Sequence, residues 1–160
     1  MFINKETTTD KHMLIQTLQS LFNRDLNRLK KEIELYQSEE VIWKVEQYIA
    51  NSAGNLCLHL VGNLKTFIGA VLGESGYIRN RELEFSAKDV PKAELIKGVE
   101  EAIEIVSQTL EKLTETQIKN EYPVLVFETR ASTEYMLIHL ATHLGYHLGQ
   151  VNYHRRLLDR

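Results

Sequence analysis

His139-Leu140-Ala141-Thr142-His143-Leu144-Gly145-Tyr146-His147-Leu148-Gly149-Gln150 is the stretch on which the reading turns. Its histidines recur every four residues, a spacing that lines their rings along one narrow face only if the backbone is an α-helix. Ser132 is a suitable cap for that helix, with Glu134 near its positive end, and the pattern runs on to Leu158. Arg155 and Arg156 close it, where cations suit the negative end of the dipole.

Working outward, three further long helices are expected. Leu14, Leu18, Leu21, Phe22, Leu29, Ile33 and Tyr36 fall on one face of a segment from about Thr9 to Tyr36, capped at Thr9 or Asp10. A second helix runs from a cap at Ser52 to Gly73 and is apolar almost all round, with Lys65 its one charge. A third begins near Pro91, with Leu95, Val99, Ala102, Ile103, Val106, Leu110 and Leu113 as its core stripe. Glu39 to Trp43 reads as a short helical piece. Gly73 to Val90 reads as a long non-periodic crossover, and Thr114 to Ala131 as a connection holding a short strand at Val124–Phe127. Four long helices predict an all-α four-helix bundle, one domain over residues 1–160.

Composition narrows the function. A chain of 160 residues buries about 70% of its surface on folding, enough for one core. Cys57 is the one cysteine, so no internal disulfide exists, and a buried thiol is its expected role. Net charge is −3, and no Lys/Arg run exceeds two residues, which argues against a nucleic-acid partner. The N-terminal residues Met1–Thr9 carry no apolar signal segment, and Ala53–Leu72 holds Asn55, His59, Asn63, Lys65 and Thr66, too polar for a lipid-facing span. A cytoplasmic protein with no membrane partner is expected.

Two imidazoles one helical turn apart can hold one metal ion. The plainer alternative is a solvated stripe, or core histidines satisfied by backbone carbonyls. On the second helix, Ser52, Asn55, His59, Asn63 and Thr66 form a polar stripe in apolar surroundings. Buried polar groups need partners, so these residues either bond across the bundle or bring His59 to the histidine ladder. Facing helices often build such inward sites. The Glu-x-x-His pairs of di-iron bundles are absent, and Leu144 stands where a His-Glu-x-x-His protease needs its base. Asn55, Asn63, Gln150 and Asn152 are candidates to orient the ligands, Gln150 foremost, because it lies three residues beyond His147.

Asn55-Leu56-Cys57-Leu58-His59-Leu60-Val61-Gly62-Asn63-Leu64, followed by His143-Leu144-Gly145-Tyr146-His147-Leu148-Gly149-Gln150, resembles the DinB/YfiT-like metalloprotein superfamily. The resemblance spans the whole chain in helix order. It implies an up-down-down-up bundle with the long crossover between helices 2 and 3. It also implies a divalent ion, zinc or nickel, on His59, His143 and His147, with His139 outside the set, and a homodimer. Some members of that superfamily act with a low-molecular-weight thiol as transferases or as an isomerase. Leu148 departs from the family pattern, which has Arg before Gly-Gln.

Three neutral imidazoles leave a divalent ion at charge +2, which favours a hydroxide or a thiolate as a further ligand. A hydrolase would need a base, and the ladder has no carboxylate, although Glu82, Glu84 or Glu128 could reach it from the connections. The expected function is therefore a thiol-dependent transferase or isomerase. A metal-dependent hydrolase and a non-enzymatic module for a metal or small ligand are the alternatives. Tyr77, Arg79 and Arg81 in the crossover either face an anionic thiol substrate or pair in solvent with Glu82 and Glu84.

Overall fold

The computed structural model describes residues 5–160, with side chains from residue 13 onward. Among the described residues every regular element is helical: α1 (Lys5–Glu34), α2 (Glu39–Ile42), α3 (Ala53–Gly73), α4 (Arg81–Ser86), α5 (Lys92–Lys112), α6 (Glu115–Lys119) and α7 (Thr133–Leu158). The fold is all-α. The four long helices form a ring, α1 packing on α5 and α7, and α3 packing on the same two.

The core lies inside that ring. Leu18, Phe22, Leu26, Leu29 and Ile33 enter it from α1, and Leu56, Leu60, Leu64 and Ile68 from α3. Leu95, Val99, Val106 and Leu110 come from α5, and Met136, Leu137, Leu140, Leu144 and Val151 from α7. By length and composition α3 could cross a membrane. Here its apolar side chains fill the core, so burial among helices accounts for a helix whose polar residues are confined to the stripe around His59. Cys57 on this helix is fully buried, and burial pushes its thiol up to about 12.

Ser52 caps α3 as expected, its Oγ accepting from Asn55 N–H, and Ser132 caps α7 by accepting from Tyr135 N–H. Near its end α3 widens into a π-helical turn over Lys65–Ala70. There the Phe67 carbonyl accepts the Tyr122 hydroxyl, which ties the connection before α7 to the bundle.

Three expectations change. The first helix is already helical at Lys5, so Thr9 and Asp10 lie within it and do not cap it; their side chains fall outside the described residues. The crossover is not wholly irregular, because Asn80 accepts from Leu83 N–H and starts α4. Val124–Phe127 forms no strand: a strand needs a partner ladder, and this connection offers one isolated bridge, Glu121 with Ser132, after the short helix α6.

Candidate metal centre

α3 and α7 bring three imidazoles together. One nitrogen from each of His59, His143 and His147 lies within 4.8 Å of the others. His59 is buried, and the other two are half-buried. The Nε2 atoms of His59 and His143 stand 3.3 Å apart. The remaining nitrogens explain why these atoms converge. His59 Nδ1 faces Glu84 Oε2 at 3.1 Å, and His147 Nδ1 faces Gln150 Oε1 at 2.6 Å. An oxygen acceptor at Nδ1 takes the proton there and leaves Nε2 bare as a donor to a metal. His143 Nδ1 is buried and has no partner among the described residues.

Electrostatics point the same way. Burial is the main cause holding His59 below its ordinary value, although the Glu84 hydrogen bond opposes it. His143 is lowered to about 4, first by burial and then by the neighbouring His147 and His59. The rings are therefore neutral at pH 7, the form that binds metal. The His59–Glu84 contact is accordingly a neutral N–H donating to a carboxylate.

Glu84 arrives from α4, and only 6% of its surface is exposed. Arg79 grips it with both hands, Nε to Oε1 at 2.7 Å and Nη2 to Oε2 at 2.8 Å. Asn55 Nδ2 donates to the carbonyls of Glu84 and Ala87, both at 2.9 Å, and so moors α4 against α3. Of the other crossover residues, Tyr77 lies beside Lys65 Nζ, and Arg81 stacks over Phe85.

The expected orienting residues separate cleanly. Gln150 contacts a cluster histidine directly, and Asn55 acts through the backbone of α4. Asn63 is buried with its Oδ1 unpartnered, and Asn152 is turned away toward Glu32. His139 sits beside the cluster, stacked on His143 at 6.1 Å and edge-on to Phe127 at 4.9 Å. Of the three carboxylates within reach of the ladder by sequence, only the packing of α4 singles out Glu84. Gly62 is the local signal for it, since a Cβ built there would overlap Glu84 Oε1.

The donor set suits a divalent ion. Two ligands about 2.0–2.1 Å from a tetrahedral ion stand about 3.3 Å apart, the separation seen between His59 Nε2 and His143 Nε2. Without a cation or a bridging proton, such closely facing lone pairs would repel.

The family model described as "Protein of unknown function (DUF1572)" matches residues 9–160. The chain is also similar in fold to a solved structure, the conserved protein of a locus from Enterococcus faecalis, with a TM-score of 0.70 and 16% identity over 89% of this chain and 95% of that one. Among curated proteins nothing matches.

Proposed function

The chain belongs to the DUF1572 family, and from that premise we propose that it is a divalent-metal protein of the DinB/YfiT-like kind. In this reading the ring of helices is the up-down-down-up bundle of that superfamily, and the protein is a cytoplasmic homodimer. His59, His143 and His147 hold one ion, zinc or nickel, with a position left for an exogenous ligand. The observation that carries the reading is the convergence of three imidazoles, one nitrogen of each within 4.8 Å of the others, with the Nε2 atoms of His59 and His143 at ligand spacing.

We further propose that the ligand is the thiolate of a small thiol, used in transfer or isomerisation. When bound, the ion supplies the charge that deprotonates a thiol at its open position. Glu84, the carboxylate in contact with the cluster among the described residues, is not free for the base work of a hydrolase: both its oxygens accept from Arg79, and one also faces His59. Arg79 Nε and Nη2 are engaged in return, so this arginine offers a substrate little beyond its Nη1.

The test is elemental analysis of untagged protein, followed by cobalt substitution and titration with small thiols. One ion per chain and a growing sulfur-to-cobalt charge-transfer band, lost in His59→Ala, support the reading. Absence of any ion sinks it. An ion that exchanges azide but gives no band with any thiol favours metal-hydroxide hydrolysis, and a site closed to both marks a structural metal. Sedimentation reads the dimer, which a concentration-independent monomer removes.

A further inference from the structure

We propose that Glu84 is the positioning residue of the histidine cluster: it accepts the Nδ1–H of His59, holding that ring with its bare Nε2 toward His143, and is itself locked by Arg79 and admitted by the missing side chain of Gly62. The inference deepens the metal reading above and rests on it for one of its two readouts.

Burying a carboxylate is costly unless it is paired and fully hydrogen-bonded. Every oxygen of Glu84 meets that condition through the two Arg79 contacts and His59 Nδ1. Its backbone is held as well, with Asn80 starting α4 and Asn55 gripping the Glu84 and Ala87 carbonyls. A mere staple between α4 and α3 would be complete with the Asn55 bonds. The carboxylate goes further, reaching past Gly62, where any Cβ would occupy the place of Oε1.

One contact competes. Arg79 Nη2 lies 3.3 Å from His59 Nδ1 and would donate to it if that nitrogen were bare. A bare Nδ1 would then set its lone pair against Glu84 Oε2 at 3.1 Å, with no proton between them. The Nδ1–H tautomer removes that repulsion, and Arg79 Nη2 keeps its shorter bond, 2.8 Å, to Oε2.

This arrangement makes an unusual prediction for Glu84→Leu, which removes both oxygens. Arg79 Nη2, released from Oε2, is then the donor beside His59 Nδ1, at 3.3 Å. His59 must then accept at Nδ1 and carry its proton on Nε2, the atom needed for ligation. Glu84→Gln keeps the wild-type tautomer instead: an amide oxygen at the Oε2 position accepts from both Arg79 Nη2 and His59 Nδ1–H. A side chain that only stapled helices together would not reverse a tautomer.

The experiment is nitrogen-15 NMR of the histidine rings in metal-free protein, together with zinc titration, for wild type, Glu84→Leu, Glu84→Gln and Gly62→Ala. Wild type and Glu84→Gln should show His59 as Nδ1–H, and Glu84→Leu as Nε2–H. Gly62→Ala, which displaces the carboxylate while improving helix propensity, should show a tautomer mixture. Glu84→Leu and Gly62→Ala should bind zinc about 10–100-fold more weakly, the usual cost of losing a ligand's outer partner. An Nδ1–H His59 in Glu84→Leu overturns the proposal. If wild type binds no ion, the metal reading falls, and the tautomers alone still decide the role of Glu84. Should Glu84→Leu fail to fold, Gly62→Ala decides: an unmixed Nδ1–H signal there overturns the proposal.

Discussion

His143 and His154 lie eleven residues apart on α7, three turns along almost the same helical face, yet their surroundings are opposite. His154 is buried with both nitrogens engaged: Nδ1 takes the Tyr36 hydroxyl at 2.7 Å, and Nε2 meets the Lys44 carbonyl at 2.8 Å. A carbonyl only accepts, so Nε2 carries the proton and Nδ1 accepts from the tyrosine. His143 has Nδ1 unpartnered and Nε2 turned toward the Nε2 of His59. The first ring is a strut between α7, the end of α1 and the segment after α2. The second is placed to share a cation. What separates the two roles is whether both nitrogens find fixed oxygens.

The sharpest way to break this comparison is to delete each ring. His143→Ala should abolish binding of the ion and leave the helical fold intact by circular dichroism. His154→Ala should keep the ion but lower stability by about 1–3 kcal/mol in urea unfolding, because the Tyr36 hydroxyl is left buried without its partner, while the part-buried Lys44 carbonyl can turn to water. Loss of metal in His154→Ala, with the fold retained, would erase the distinction.

Acid should weaken the metal-free protein through both rings. Burial lowers His143 to about 4, and it also lowers His154 despite the opposing Lys44 hydrogen bond. Below the ordinary histidine value, about 6.5, the unfolded chain therefore binds protons that the folded rings refuse. Stability is full above that value and falls as pH drops through it. The decline levels off once the folded rings also titrate, which for His143 is near 4. Urea midpoints between pH 7 and 4.5 should follow this slope. In His143→Ala the slope should shrink but persist, since His154 remains. An unchanged midpoint over that range in wild type would contradict the burial of both rings.

Smaller effects sharpen the boundary of the cluster. Gln150→Leu removes the 2.6 Å contact to His147 Nδ1, and an about tenfold loss of zinc affinity by calorimetry is expected. Affinity equal to wild type would place the role of Gln150 elsewhere. His139→Ala should change affinity by less than about threefold, because this ring stacks on His143 and lies outside the converging set. A loss matching that of His143→Ala would place His139 among the ligands.

Much of the site is legible in local sequence patterns. The register of His143 and His147, the caps at Ser52 and Ser132, and the unusually polar stripe around His59 are of this kind, as is the placing of Gln150 one turn beyond His147. Other features mislead or stay silent. Val124–Phe127 has the composition of a strand but lacks a partner to pair with. α4 carries a faint signal in Asn80 ahead of Arg81-Glu82-Leu83, too short to stand out from the crossover around it. The engagement of Arg79 by Glu84 decides between a substrate-facing arginine and one turned to a protein carboxylate, and composition alone leaves both options open.

By itself, then, the sequence determined the four long helices, their buried faces and which histidines share a turn, because the 3.6-residue repeat is a property of the local backbone. Tertiary packing alone decided that Glu84, out of three possible carboxylates, meets His59, and that His154 is satisfied while His143 is not. Those outcomes depend on how elements distant along the chain dock, 25 residues apart for His59 with Glu84 and 118 for Tyr36 with His154. A helical period carries no record of which neighbour will fill the opposite side of a ring, since that is settled by shape, desolvation and hydrogen-bond satisfaction across the whole core.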